Sequence, residues 1–221
     1  MQIDGILFDF DGTLFDTISL IVESYQYAYR KHNKREHSAE EIKAGIGLPL
    51  ETIFNSEYPE DGADLLKTYL EYNNQHTATG YGIFLGIGPM LDGLRALNVP
   101  LGIVTAKRYN NAIVTLETSG YKDHFSGIVT KYDTEIHKPD PEPLFLGMKK
   151  LGLSDPTKVM YVGDSVFDIQ AANNGNFISV AVDWTQISPE LMRAENPDIW
   201  LEHPLDLVEI VKNNQKNNQI A

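Results

Sequence analysis

Short apolar runs alternate with longer amphipathic stretches along this chain, the pattern of a parallel sheet covered by helices. The runs Ile3–Phe8, Leu101–Thr105, Gly127–Thr130, Val159–Val162, Ile178–Val182 and, more weakly, Ile199–Leu201 predict strands. Helices are predicted over Pro89–Leu97, Tyr109–Ser119, Pro141–Leu151, Phe167–Asn174 and Leu205–Asn213. Every strand but the first reaches the next within about 20–35 residues, the size of a βαβ unit.

The first gap breaks this rhythm. More than 90 residues separate Phe8 from Leu101, and most of them lack strand character. Ile18–Lys31, Ala39–Ala44, Leu50–Glu57 and Gly62–Gln75 all carry helical spacing, as in Leu65, Tyr69 and Tyr72. Residues 16–82 are therefore expected to form a helical insert in an α/β domain built from 1–15 and 83–221. Its hinges are placed near Phe15–Asp16 and in the glycine-rich segment Thr79–Gly88. Tyr25 and Tyr29, spaced i,i+4, are expected to pack inside the insert rather than to bind a cofactor. The polar tail Asn213–Ala221 is expected to fray. No internal repeat is present.

Composition narrows the function. Of 221 residues 42% are hydrophobic, enough to bury a core and to exclude a disordered chain. Acidic residues number 31 against 18 basic ones, a net charge of −13. Such a field repels phosphate backbones and anionic lipid, so neither nucleic acid nor a membrane surface is an expected partner. An anionic substrate must instead meet a local cation. The absence of cysteine excludes disulfides, thiolate metal sites and Cys nucleophiles. Aspartates stand where a signal peptide needs basic residues, and no apolar run approaches 18 residues. A cytoplasmic location is the expectation.

The strongest chemical signal is Asp9-Phe10-Asp11-Gly12-Thr13-Leu14, directly after the first strand. At average residue usage D-x-D-G-T arises by chance in about one sequence in 10³ of this length, so a plain solvated turn is the weaker reading. Carboxylates at the C-terminal end of a parallel strand sit where open α/β sheets bind ligands. Their mutual repulsion there calls for a hard cation such as Mg²⁺. A second signal, Gly163-Asp164-Ser165-Val166-Phe167-Asp168, follows another strand, so Asp164 and Asp168 can reach the same crevice. A helix cap by Asp164 or Ser165 is the bland alternative. Thr105, followed by Ala106-Lys107-Arg108, offers a hydroxyl and free N–H groups to a phosphate oxygen. Lys138, held near Pro139 and Pro141, is the natural neutraliser of a nucleophile and a phosphate. The six histidines lack metal-ligand spacing, and His137 is expected at the surface.

These pieces, in this order, resemble the haloacid dehalogenase (HAD) superfamily across essentially the whole chain. The resemblance implies an α/β fold, a doubly wound parallel-sheet, Rossmann-like core with an inserted α-helical cap domain. It implies that Asp9 attacks phosphorus to form an aspartyl-phosphate, and that Asp11 protonates the leaving group and then activates water. Asp9, the Asp11 carbonyl and Asp164 would hold Mg²⁺, supported by Asp168. Thr105, Ala106 and Lys138 would bind the phosphoryl oxygens. The presence of Asp11 disfavours dehalogenase and phosphonatase chemistry. The stretches GIVTAKRYN, EIHKPDPEP and AVDWT are similar to the phosphoglycolate phosphatase and HAD-type pyrophosphatase subgroup, the second more closely. The expected partner is thus a small phosphorylated metabolite or pyrophosphate, taken by a monomer or dimer. The loop Ala44–Pro49 is expected to face the site, with Gly45 and Gly47 at the leaving group and Lys43 as the nearest cation.

A β-phosphoglucomutase-like transferase shares these residues and stays open. A phosphate-accepting receiver domain does not fit, because receivers place the phosphorylated Asp on a middle strand and lack such an insert. A binding module that has lost activity has nothing in the sequence to favour it.

Overall fold

A computed structural model of the chain describes residues 2–220. Six parallel strands form one sheet, β1 (Gly5–Phe8), β4 (Leu101–Val104), β5 (Gly127–Val129), β6 (Val159–Gly163), β7 (Ile178–Val182) and β8 (Ile199–Leu201). Their order is β5-β4-β1-β6-β7-β8. The four inner strands are buried on both faces, which is why they read as continuous apolar runs rather than as alternation, whereas the edge strands β5 and β8 are partly exposed. The register pairs Ile6 with Leu101 on one side of β1 and with Met160 on the other.

Alternate residues of β1 feed two cores. Ile6 and Phe8 pack with Ile103, Met160 and Val180 against helices α5 (Ile87–Ala96), α6 (Tyr109–Ser119) and α10 (Pro204–Ile220). Leu7 joins Val104, Val129 and Tyr161 against α7 (Glu142–Lys150) and α8 (Val166–Asn174). The chain begins at the centre, winds outward through β4 and β5, then returns to lay β6 beside β1. The strand order therefore reverses between β1 and β6, and the crevice beyond their C-terminal ends is where open α/β sheets bind ligands.

Between β1 and β4 lie four helices, α1 (Ile18–Lys31), α2 (Ala39–Lys43), α3 (Leu50–Glu57) and α4 (Gly62–His76). They share an apolar cluster of Ile18, Ile21, Tyr25, Tyr29, Phe54, Leu65 and Tyr69. Tyr25 lies edge-on to Tyr69 and tilted against Phe54, each with ring centroids 4.9 Å apart. Both tyrosines of the i,i+4 pair are thus packing residues.

Three features differ from the sequence reading. A two-stranded antiparallel ribbon, β2 (Phe15–Asp16) with β3 (Gly82–Ile83), straddles both expected hinge positions. A short helix α9 (Pro189–Ala194) precedes β8. The tail does not fray, because α10 continues to Ile220 and is tied down on the way. Asn214 Oδ1 accepts from Ile3 N at 3.1 Å, and Gln215 Nε2 donates to Leu97 O at 3.0 Å. Ala221 lies outside the described residues. No helix among the described residues is long and apolar enough to cross a membrane.

Candidate active site

Asp9 follows β1, and Asp164 follows β6, so the switch point brings the two motifs together. One carboxylate oxygen each from Asp9, Asp164 and Asp168 lie within 4.8 Å of one another, and all three residues are buried. The turn that allows this needs a glycine at position 12. Gly12 has φ +85°, and a Cβ there would stand 2.0 Å from Asp164 Oδ2.

Lys138 is the only cation paired with the cluster among the described residues. Its Nζ donates to Asp9 Oδ1 at 2.9 Å and to Asp168 Oδ1 at 2.5 Å, and its side chain is 2% exposed. The Tyr161 hydroxyl, 3.0 Å from both Lys138 Nζ and Asp168 Oδ1, completes the network. Burial pushes Lys138 down, but Asp168 and Asp9 outweigh it and hold the amine well above the ordinary lysine range. Burial pushes Asp9 up to about 7 against the pull of Lys138, with Asp168 adding to the rise. Burial, with Asp168 and Asp9, likewise holds Asp164 well above the usual carboxylate range.

Ionised, three buried carboxylates against one ammonium leave two negative charges in excess. A divalent cation cancels that excess, and the donors are all hard oxygens, so the residues present fit Mg²⁺. The three differ in how free their oxygens are. No donor among the described residues reaches Asp9 Oδ2. Asp164 accepts from Thr13 Oγ1 at 3.2 Å and Thr185 Oγ1 at 2.6 Å. Asp168 has both oxygens engaged, Oδ1 by Lys138 and Tyr161 and Oδ2 by Ser165 N and Oγ. Ser165 does cap α8, in a capping box closed by Asp168, so the cap and the charged network share one side chain.

Asp11 stands apart from this cluster. Its Oδ1 accepts from Thr17 Oγ1 at 2.6 Å and from Lys107 Nζ at 2.7 Å. Asp9, Asp11, Thr105 and Ala106 line one cavity of about 70 Å³ between the sheet and the inserted helices. Thr105 Oγ1 accepts from Lys107 N at 3.2 Å. Lys138 is not among the lining residues and reaches Asp9 from beneath. His137 is half-buried beside Thr105 and Lys138.

The cap loop is placed differently from the sequence reading. Ile46, Gly47 and Leu48 line the cavity, whereas Lys43 and Gly45 do not. Ile42 is the buried residue of α2, so Lys43, one position on, turns into a separate groove facing Thr185–Leu191. Gly45 packs towards Ile53. Gly47, at φ +106°, approaches the start of α8, where a Cβ would meet Phe167 and Ser165 Oγ at 3.1 Å. The cavity's cations are instead Lys107, Arg108 and Lys131. Lys107 and Arg108 follow Thr105 and Ala106 in sequence, but Lys131 and the partners Thr17 and Glu51 carry no local signal. The stretch AVDWT acquires a physical role as well, since Trp184 Nε1 donates to Thr13 O at 2.9 Å and Thr185 holds Asp164.

The model of the haloacid dehalogenase-like hydrolases matches residues 6–182. The chain belongs to this family. Among curated relatives it is 34% identical to pyrophosphatase PpaX of Oceanobacillus iheyensis, over 96% of this chain and 98% of that one. It is 32% identical to pyrophosphatase PpaX of Bacillus velezensis, over 95% and 96%. A solved structure described as a haloacid dehalogenase-like hydrolase from Bacteroides fragilis superposes with a TM-score of 0.86 at 25% identity, covering 93% of this chain and all of that one. A β-phosphoglucomutase from Clostridium difficile shares the fold at a TM-score of 0.83 and 19% identity, with both chains fully covered. The fold these structures share is that of the six-stranded sheet with its covering helices described above.

Proposed function

We propose that this chain is a Mg²⁺-dependent cytoplasmic phosphohydrolase that cleaves a small phosphate ester or anhydride, of pyrophosphate or phosphoglycolate type, through an aspartyl-phosphate on Asp9. The observation that carries the reading is a buried carboxylate, Asp9, whose Oδ1 is fixed by Lys138 and which lines a cavity shared with Asp11 and Thr105. Relatives named pyrophosphatase support the substrate class.

Asp9 Oδ2 would attack phosphorus as the bond to the leaving oxygen breaks. A positioned carboxylate supplies the in-line geometry that a loose phosphoryl transition state needs. Asp11, with Oδ1 fixed by Thr17 and Lys107, would present Oδ2 to protonate the leaving oxygen. It would then take a proton from the water that attacks the aspartyl-phosphate and regenerates Asp9. Thr105 and the Ala106 N–H would face the phosphoryl oxygens. Asp9, Asp164 and the Asp11 carbonyl would hold the Mg²⁺, which neutralises charge on the nucleophile and the phosphoryl group. Asp168, its oxygens already taken, orients Lys138. Residues 16–82 would act as a cap that excludes water during the first step.

Phosphate release in the presence of Mg²⁺ is the direct test, over pyrophosphate, 2-phosphoglycolate, nucleoside monophosphates and sugar phosphates. Selective release from pyrophosphate or phosphoglycolate is expected. Conversion of β-glucose 1-phosphate to the 6-phosphate without release would replace the hydrolase by a mutase.

Metal binding should also be visible without turnover. Asp9 and Asp164 are held above their unfolded values, so the metal-free fold binds more protons than the unfolded chain. The contribution of these two groups to stability therefore falls as pH rises from the ordinary carboxylate range through about 7. Mg²⁺ requires the same groups ionised, so its stabilisation grows over that window. At saturating Mg²⁺ the melting temperature is expected to rise by about 5–10 °C over EDTA-treated protein at pH 8, and by less at pH 6. An equal or larger rise at pH 6 would refute the assignment of these carboxylates to the metal.

A further inference from the structure

The cavity holds a second charged group that the chemistry at Asp9 does not use. Arg108, at the start of α6, donates from Nη2 to Glu51 Oε1 at 3.0 Å. Lys131, in the short turn after β5, pairs with Glu51 Oε2 and is only 9% exposed at its side chain. Glu51 lies in the first turn of α3, on the inserted helices, and reaches across to both cations. Two cations thus face one carboxylate, across the gap between the sheet and the inserted helices. In a chain of net charge −13, such a local positive excess is the kind of feature that draws in an anion.

Two details point to a ligand rather than to a simple ion pair. Arg108 Nε and Glu51 Oε2 are both buried without a hydrogen-bond partner, so the cluster leaves a donor and an acceptor unmet, which is costly in a closed ion pair. The exposed ring of Tyr132 lies 5.6 Å from the Arg108 guanidinium and 5.1 Å from Lys131 Nζ, bracing both head groups from the solvent side. Lys107 does not share this role, because Asp11 engages it. Arg108 and Lys131 line the same cavity as Asp9 and Thr105, so one small molecule can reach both ends.

We propose that Arg108 and Lys131 form a second anion subsite, which Glu51 and the far anionic group of a doubly anionic substrate occupy in turn. The substrate class is a phosphoryl group joined through a short bridge to a second phosphate or a carboxylate. Glu51 serves as the internal anion that keeps the two cations paired and aligned, and a substrate anion displaces it. This rests on the phosphohydrolase reading for its catalytic half, whereas binding tests it separately.

The experiment compares wild type, Arg108→Met/Lys131→Met and Glu51→Gln by calorimetric titration with imidodiphosphate and with inorganic phosphate, and by kcat/KM on three substrates. Pyrophosphate and 2-phosphoglycolate carry the second anion as phosphate and as carboxylate; p-nitrophenyl phosphate carries none. The double variant is expected to bind imidodiphosphate at least about tenfold more weakly, the size of one or two charge-assisted hydrogen bonds, while its affinity for inorganic phosphate changes far less. Its kcat/KM on at least one of the two doubly anionic substrates should fall about tenfold further than on p-nitrophenyl phosphate. Which of the two falls identifies the second group. Glu51→Gln should tighten imidodiphosphate binding, since the competing carboxylate is gone. Equal losses on all ligands, no loss on any, or weaker binding by Glu51→Gln would overturn the subsite and leave only a structural ion pair. A wild type that binds imidodiphosphate through these residues yet releases no phosphate would keep the subsite and reject the phosphohydrolase reading.

Discussion

Asp9→Asn is expected to cut phosphate release by at least about 10⁴-fold, the scale seen when a covalent nucleophile is removed. Asparagine keeps the shape of the side chain and an oxygen for Lys138 Nζ, so the geometry around the site is retained. What disappears is the negative oxygen proposed to attack phosphorus, which is also one proposed ligand of the cation. The fold should tolerate the change. Burial already pushes the Asp9 carboxyl up to about 7, so at neutral pH a neutral group there costs the metal-free fold little. Lys138 keeps Asp168 as its charged partner at 2.5 Å. The melting temperature of the metal-free variant is accordingly expected to stay within a few degrees of wild type at pH 7. Phosphate release measured beside a thermal melt separates the two effects. Activity remaining above a thousandth of wild type, in a folded variant, would sink the nucleophile assignment.

The core strands were legible because a parallel sheet covered on both faces buries every residue of its inner strands, leaving runs such as Leu101–Val104 and Ile178–Val182. The four inserted helices were legible for a different reason. Each buries one stripe, and the spacing of Ile18, Ile21, Val22, Tyr25 and Tyr29 records it. The β2–β3 ribbon left no trace, since two residues per strand give no alternation to detect, and Gly82 and Ile83 are exposed. The tail misled because its composition, NNQKNNQ, is that of a frayed end, whereas Asn214 accepts from the Ile3 N–H and Gln215 donates to the Leu97 carbonyl, holding its first part to distant backbone.

The same division runs through the site. Asp9, Asp11, Thr105, Lys138, Asp164 and Asp168 stand out in sequence because each follows or faces a strand end, where local order and chemistry coincide. Lys131 and Glu51 lie 80 residues apart and meet only when the helices close over the sheet. Nothing local marks either of them. Lys43 shows the converse error. It sits next to the correct loop, but a helix turns about 100° per residue, and one step past the buried Ile42 carries its side chain into another groove. Position along the chain located the loop, while only packing could say which side chain of it faces the cavity.

Lys138→Met should have the largest effect on stability. The side chain is 2% exposed and donates to two buried carboxylates and to Tyr161. Methionine fills the volume but leaves Asp9, Asp164 and Asp168 with no cation, and removing one partner from a buried ionic network costs about 3–5 kcal/mol. For a chain of this length that corresponds to a fall of about 10 °C in melting temperature. The sign of the pH dependence follows from Asp9. Lys138 is what lowers its carboxyl against burial, so without Lys138 it is held still higher above the unfolded value. Such a group takes up protons on folding, and the penalty grows as pH rises out of the ordinary carboxylate range. The stability gap between variant and wild type should therefore be small near pH 4.5 and widest at pH 8 in EDTA. Mg²⁺ should narrow it at pH 8, because a divalent cation restores the charge that the lysine supplied, yet turnover should stay low since Asp9 loses the donor that fixes Oδ1. Urea melts at the two pH values, with and without Mg²⁺, measure each part. A gap that does not widen with pH would mean that Lys138 acts by packing rather than by charge.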